Sequence, residues 1–105
     1  MPPSFERTHA NFLRQRYNAK DFIQKVNPED PQLDPDELDE VDDLIEMVTK
    51  FLRDFQAVQS SVAGNPAKRQ ICIDSIDELE SLKDQLEYIK DKDEQLHREA
   101  VRRAR

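Results

Sequence analysis

The segment 34-DPDELDEVDDLIEMVTKFLRDFQAVQSSVAGNP-66 decides the fold of this chain. Asp34 is a favoured N-cap residue, and Pro35 has the backbone angle preferred at the first helical position. The acidic residues that follow complement the positive end of the helix dipole. Gly64 suits a left-handed cap, and Pro66 cannot extend the same helix. The segment therefore predicts one long helix over about 35–63.

Apolar residues along this helix form two adjacent rows. A stripe with three apolar positions per heptad is wider than a two-stranded contact needs, so each helix should touch two neighbours. We expect the second row to be displaced from the core and to be able to enter a groove on a partner protein. The first row is Leu38, Val41, Ile45, Val48, Leu52, Phe55 and Val62, and the second is Leu44, Phe51 and Val58.

The same signals place a helix on each side. Ser4 can cap a helix over about 5–26, and the link 27–34 is long enough to reverse the chain. A third helix is predicted over about 66–103, although the pattern from Ser75 to Glu78 resembles a capping box and leaves 66–74 open as a separate segment. The prediction is an all-α fold, an elongated antiparallel three-helix bundle with a single domain over 1–105.

Composition restricts the possible functions. The chain has 105 residues, a net charge of −7, 37% charged residues and one glycine, which leaves little room for sheet turns or for a deep catalytic cleft. Residues 27–48 contain ten acidic and no basic side chains, whereas 96–105 contain four arginines and one glutamate. An acidic chain is a poor general ligand for nucleic acid, so we expect nucleic-acid binding to be unlikely.

The last ten residues are predicted to extend beyond the bundle. In a hairpin around Asn65, residues whose numbers sum to about 130 face each other, so residues after about 95 have no counterpart on the second helix. At 1.5 Å per residue they project by about 15 Å. The alternatives are a solvated tail or one covered by 27–34, a docking helix, and an arginine contact to nucleic acid. The candidate binding residues in this basic overhang, 96–105, are Leu96, Arg98, Val101, Arg102, Arg103 and Arg105.

Searches for catalytic and metal-binding patterns give no candidate. His9 and His97 lie far apart, and neither has a second ligand at helical spacing. Cys72 lies on the apolar face and is interpreted as a small buried residue. The acidic residues from Asp30 to Glu46 match no register of a calcium-binding loop. We therefore expect no enzyme activity, no cofactor and no metal.

Location is predicted from what the sequence contains. No apolar run approaches the ~20 residues of a membrane span, and one cysteine cannot build a disulfide framework. These features predict an intracellular, soluble protein, cytoplasmic or nuclear.

The leading hypothesis is a non-enzymatic helical protein–protein interaction module, such as a small subunit, adaptor or assembly factor of a larger complex. In outline the chain resembles the three-helix regulatory domains at the N-termini of SNARE proteins, and small tubulin-folding cofactors. This resemblance is architectural and covers the whole chain. The first alternative is a self-assembling scaffold that forms a homo-oligomeric helical bundle. The second is nucleic-acid contact through the C-terminal arginines.

Overall fold

The structure is a computed structural model that describes residues 4–104. It contains three α-helices in antiparallel order, α1 (Phe5–Lys25), α2 (Pro35–Ser61) and α3 (Pro66–Arg103), and no strand within the described residues. The molecule measures 61 × 24 × 18 Å. The predicted elongated three-helix bundle is therefore confirmed.

α1 begins and ends close to the predicted positions. The Ser4 hydroxyl accepts a hydrogen bond from the Arg7 amide at 3.2 Å, as expected of an N-cap. The helix ends at Lys25, because Val26 adopts an extended backbone, one residue earlier than predicted. Val26 is buried, so the chain leaves α1 with its apolar side chain still in the core.

The start of α2 is fixed by the predicted acidic cap. The Asp34 carboxylate accepts from the Glu37 amide at 2.8 Å, and the Glu37 carboxylate accepts from the Asp34 amide at 3.3 Å. This reciprocal pair is a capping box, formed here with aspartate at the N-cap. Two of the amides that the first helical turn leaves unbonded are thereby satisfied.

The end of α2 differs from the prediction. The helix ends at Ser61 with Val62 as its C-cap, two residues before the predicted end. Gly64 does not have a positive φ, so its expected role as a left-handed cap was wrong. The Val62 amide donates to the Val58 carbonyl at 3.1 Å, and the Asn65 amide donates to the Val62 carbonyl at 2.9 Å. A right-handed turn therefore joins α2 to α3.

Gly64→Ala tests this turn. A Cβ at Gly64 would meet no atom within 4 Å, and alanine loses less backbone entropy on folding than glycine does. We expect the variant to be more stable by about 0.4–1 kcal/mol, measured as a higher urea midpoint with an unchanged m-value. Destabilisation by more than about 1 kcal/mol would contradict the right-handed turn, because alanine is disfavoured at a positive φ.

α3 is one continuous helix from Pro66, which decides the open question about 66–74. Its N-cap is Asn65, whose side chain accepts from the Lys68 amide at 3.2 Å. The possible second cap at Ser75 is not used, because Ser75 is buried inside the helix. Lys68, unfavourable in a first turn, is compensated by an ion pair with Glu6 of α1 at 2.8 Å.

The core corrects the assignment of the two rows on α2. The second row, Leu44, Phe51 and Val58, lies in the core with 6%, 8% and 1% of its surface exposed. From the first row, Ile45 and Leu52 are only partly buried at its edge. The core also contains three aromatic side chains from α1 and five apolar side chains from α3. Those are Phe5, Phe12, Phe22, Cys72, Leu79, Leu82, Leu86 and Ile89.

The three helix pairs are not equivalent. α2 and α3 form the most extensive contact, and α1 packs less closely against both. α1 compensates with aromatic rings: Phe12 lies edge-on to Phe51 and Phe55 of α2, with ring centroids 6.0 and 5.4 Å apart. The bundle is thus an α2–α3 hairpin to which α1 is attached mainly by large side chains.

Candidate protein interface at the C-terminal end of the bundle

α3 continues past the start of α2 as a helix. The Asp93 carboxylate of α3 accepts from the amide of Leu33, the link residue just before the N-cap of α2, at 2.9 Å. Beyond Asp93 the helix runs ten more residues to Arg103, about 15 Å at 1.5 Å per residue. Leu96 is half-buried, and Ala100 and Val101 are exposed. The predicted overhang is therefore helical through Arg103.

The link 27–34 forms the opposite wall of this end. Pro31 is buried, and Gln32 has a left-handed backbone with φ of 46° immediately before the Leu33 amide. This conformation is uncommon outside glycine, and it accompanies the capture of the Leu33 amide by Asp93. The Tyr88 hydroxyl also donates to the Glu29 carboxylate at 3.0 Å, which raises the pKa of Tyr88. Two side chains of α3 therefore hold the link.

An open groove of about 920 Å³ lies between the link, the start of α2 and the end of α3. We call it the terminal groove. Its floor is apolar, from Leu33, Leu38, Leu96 and Ala100. Leu96 and Ala100 of α3 continue the apolar stripe that is buried at Leu86 and Ile89. The complete lining is Asp30, Gln32, Leu33, Pro35, Leu38, Asp93, Glu94, Leu96, His97, Arg98, Ala100 and Arg103.

Charge is divided across the terminal groove. Among the α3 residues of the lining, Asp93 and Glu94 come first and Arg98 and Arg103 lie nearer the C-terminal end of the helix, while Asp30 lines the groove from the link. Arg98 reaches Glu94 only at 3.9 Å on the same helix. Within residues 4–104, Arg102 and Arg103 form no ion pair. The groove thus presents an acidic half and a basic half.

Ion pairs connect the first part of α2 to both neighbouring helices. Lys90 of α3 donates to Asp42 of α2 at 2.6 Å, and this hydrogen bond raises the pKa of Lys90. Lys25 at the end of α1 reaches Glu40 at 3.4 Å. The acidic front of α2 therefore lies beside basic residues of both neighbouring helices. They neutralise only part of that front, because 27–48 contains ten acidic side chains.

The structure separates the predicted binding residues into two groups. Leu44, Phe51 and Val58 are core residues, so the prediction that they lie on a free face was wrong: their row points between α1 and α3. The overhang residues lie together at one end. Leu96, Arg98 and Arg103 line the terminal groove, Val101 is 45% exposed beside it, and Arg102 is exposed. Arg105 lies outside the described residues.

The sequence offered 27–34 as a cover for the overhang only as one alternative, and it did not identify the residues of the second wall. Asp30 and Leu33 of the link and Pro35 of α2 line the groove. One signal was available: Asp93 is a polar residue at a core position of α3. A carboxylate there needs a hydrogen-bond donor, and the Leu33 amide supplies it.

A second set of shallow grooves lies between α1 and α3 and is a weaker candidate. Three of them measure about 280–380 Å³, and the exposed Tyr88 lines one. Their middle is already bridged, because Lys20 and Arg16 contact Glu78 at 2.6 and 3.5 Å. These ion pairs hold α1 on α3 and leave less apolar surface for a ligand.

The two histidines and the cysteine that the sequence singled out lie in the following environments. His9 stacks on Phe5 with ring centroids 5.4 Å apart, and His97 lies in the terminal groove. Cys72 is fully buried, which raises the pKa of its thiol. Among the described residues, no three His, Cys, Asp or Glu side chains are grouped closely enough to hold a metal ion.

Comparisons with known proteins found no match for this chain among protein-family models, curated proteins or solved structures. Within residues 4–104, none of the three helices has a stretch long and apolar enough to cross a lipid bilayer.

Proposed function

We propose that this chain is a non-enzymatic protein–protein interaction module that receives a partner helix in the terminal groove. It would act as a small subunit, adaptor or assembly factor of a larger complex. The observation that carries the proposal is the continuation of the buried α3 stripe past the bundle, where Leu96 and Ala100 are left only partly covered beside Leu33 and Leu38.

The shape and chemistry of the groove support a helical ligand. An amphipathic helix binds by placing its apolar face in a groove of this kind, with contacts spaced three and four residues apart. Leu96 and Ala100 are four residues apart on α3 and lie opposite Leu33 and Leu38. The charged residues at both ends of the groove would then set the direction in which the ligand lies.

The groove disfavours the nucleic-acid alternative. Phosphate approaching Arg98 or Arg103 would also approach Asp30, Asp93 and Glu94, which line the same groove. A cytoplasmic or nuclear location remains part of the proposal, supported by the single cysteine, Cys72.

Affinity capture from native lysate tests the proposal with two variants in which an alanine of α3 is replaced by glutamate. Ala100→Glu puts a charged side chain in the terminal groove, and Ala67→Glu makes the same change at the exposed opposite end of α3. We expect at least one protein to be captured equally by the wild type and by Ala67→Glu. The amount of that protein captured by Ala100→Glu should fall about tenfold or more, because the charge would be buried in an apolar contact. Equal capture by all three proteins would contradict the proposal.

A further inference from the structure

The α3 wall of the terminal groove is self-complementary when two copies of it run in opposite directions. Asp93, Leu96, Ala100 and Arg103 follow one another at intervals of three, four and three residues, so they lie on one face of the helix. Reversing the direction gives the same intervals. An antiparallel second copy would therefore present the same face in the same spacing.

The residue types match as well as the spacing. We place the two-fold axis at Arg98. A residue of one copy then lies level with the residue of the second copy for which the two residue numbers sum to 196. Leu96 then faces Ala100 of the second copy, and Asp93 faces Arg103, each contact occurring twice. At 100° per residue Glu94 and Arg102 lie on the far side of α3 from this face, and His97 and Glu99 lie on its two opposite flanks, so neither pair belongs to the contact.

One pair is unfavourable, because Arg98 would face its own copy on the axis. At 100° per residue Arg98 lies on the opposite side of α3 from Leu96 and Ala100, and its side chain, which contributes to the groove lining, is 78% exposed. Water and salt therefore screen the like charges.

We propose that a second copy of this chain occupies the terminal groove, with residues 93–103 of the two α3 helices packed antiparallel. The inference rests on the proposed function, because it names the ligand of the same groove. Arg103 of each copy then enters the acidic half of the other groove, near Asp30 and Asp93. Both basic ends gain carboxylate partners in one isologous contact, as two-fold symmetry requires.

The strength of the contact follows from its length. Eleven residues of α3 overlap over about 16 Å, which together with the link makes an interface at the low end of specific contacts, below about 1,200 Å² in total. We expect a dissociation constant on the order of 10–100 μM at low salt. Charge pairs at an open groove are screened, so about 0.5 M NaCl should weaken the dimer tenfold or more.

Sedimentation velocity of the purified chain, free of nucleic acid, over about 5–500 μM tests the inference against that affinity range. Arg103→Glu should weaken dimerisation about tenfold or more, because it places acidic groups opposite one another. Asp93→Asn should weaken dimerisation less, because it removes a charge without reversing it. The amide oxygen of the asparagine can still accept from the Leu33 amide, so the link stays in place. Arg53→Glu, an equal charge change at an exposed position of α2, is the control and should have no effect.

A mixture of two variants tests the register. Asp93→Lys and Arg103→Glu each place like charges together in a homodimer, but a heterodimer of the two restores both opposite-charge pairs. Each substitution changes the net charge of −7 by two, to −5 and −9, so both variants remain acidic and have no general attraction. We expect the mixture to form dimers more strongly than either variant alone. If Asp93→Lys does not fold, the effects of Arg103→Glu and Asp93→Asn on sedimentation of the single proteins test the register instead.

A constant monomer mass up to about 500 μM at low salt would overturn the inference, as would dimerisation that responds equally to Arg103→Glu and Arg53→Glu. If the chain is monomeric but still captures another protein in a way that Ala100→Glu abolishes, only the second copy is excluded and the proposed function stands. If dimerisation is absent and capture is insensitive to Ala100→Glu, both proposals fail.

Discussion

Phe12→Ala is expected to destabilise the chain by about 3–5 kcal/mol. Phe12 is 2% exposed and contacts Phe51 and Phe55 edge-on. Its removal loses the transfer energy of the ring and leaves a cavity that neighbouring aromatic rings cannot fill without moving. Since α1 is attached mainly through such side chains, the loss falls on the contact between α1 and α2, which is much less extensive than that between α2 and α3.

Urea unfolding followed by circular dichroism measures this effect, with Leu13→Ala as the matched control. Leu13 is the next residue on α1 and is 40% exposed, so we expect its change to cost less than about 1 kcal/mol. Phe12→Leu keeps most of the apolar volume and should cost about 1.5 kcal/mol or less. Equal effects of Phe12→Ala and Leu13→Ala would contradict the observed packing of α1.

Alkylation of Cys72 in the folded protein is expected to be slower than in the unfolded chain by about a thousandfold or more. The thiol is fully buried, and burial raises its pKa, so it is both inaccessible and protonated. Reaction then requires unfolding, whose free energy in small domains is about 5 kcal/mol or more. Because the unfolded thiol ionises at a lower pH than the folded one, stability should decrease above the ordinary thiol pKa.

Labelling with an alkylating maleimide, followed by mass spectrometry, measures this protection, and Ser60→Cys provides an internal standard. Position 60 is exposed on α2, so the variant should react in two phases, one fast thiol and one slow. Phe12→Ala should accelerate the slow phase, because both reactions depend on opening of the same core. A fast reaction of Cys72 in the wild-type protein would contradict its placement in the core.

The sequence predicted the helices well because their ends are chemically specific. Ser4, Asp34 and Pro66 mark helix starts by hydrogen-bond geometry or backbone restriction, and each start is where it was predicted. The end of α2 was less certain because glycine permits a left-handed conformation without requiring it. At Gly64 the tight connection to Asn65 selected a right-handed turn.

Val41, Val48 and Phe55 of α2 are fully buried, but periodicity could not decide on which side of them the core continues. Ile45 and Leu52 are as apolar as Leu44 and Phe51, and the rows differ by only about 100° around the helix. The choice depends on where α1 and α3 lie, which is a tertiary property. The overhang was predicted from helix length alone, whereas the groove beside it depends on the folded link and on Gln32, whose backbone no local pattern indicated.

The dimensions of 61 × 24 × 18 Å have a practical consequence for how this protein is handled. A rod experiences more hydrodynamic drag than a sphere of equal mass, so the monomer will elute early from a gel-filtration column calibrated with globular standards. An early peak would therefore not demonstrate association. Light scattering, which reports molar mass independently of shape, is the appropriate detector for this chain.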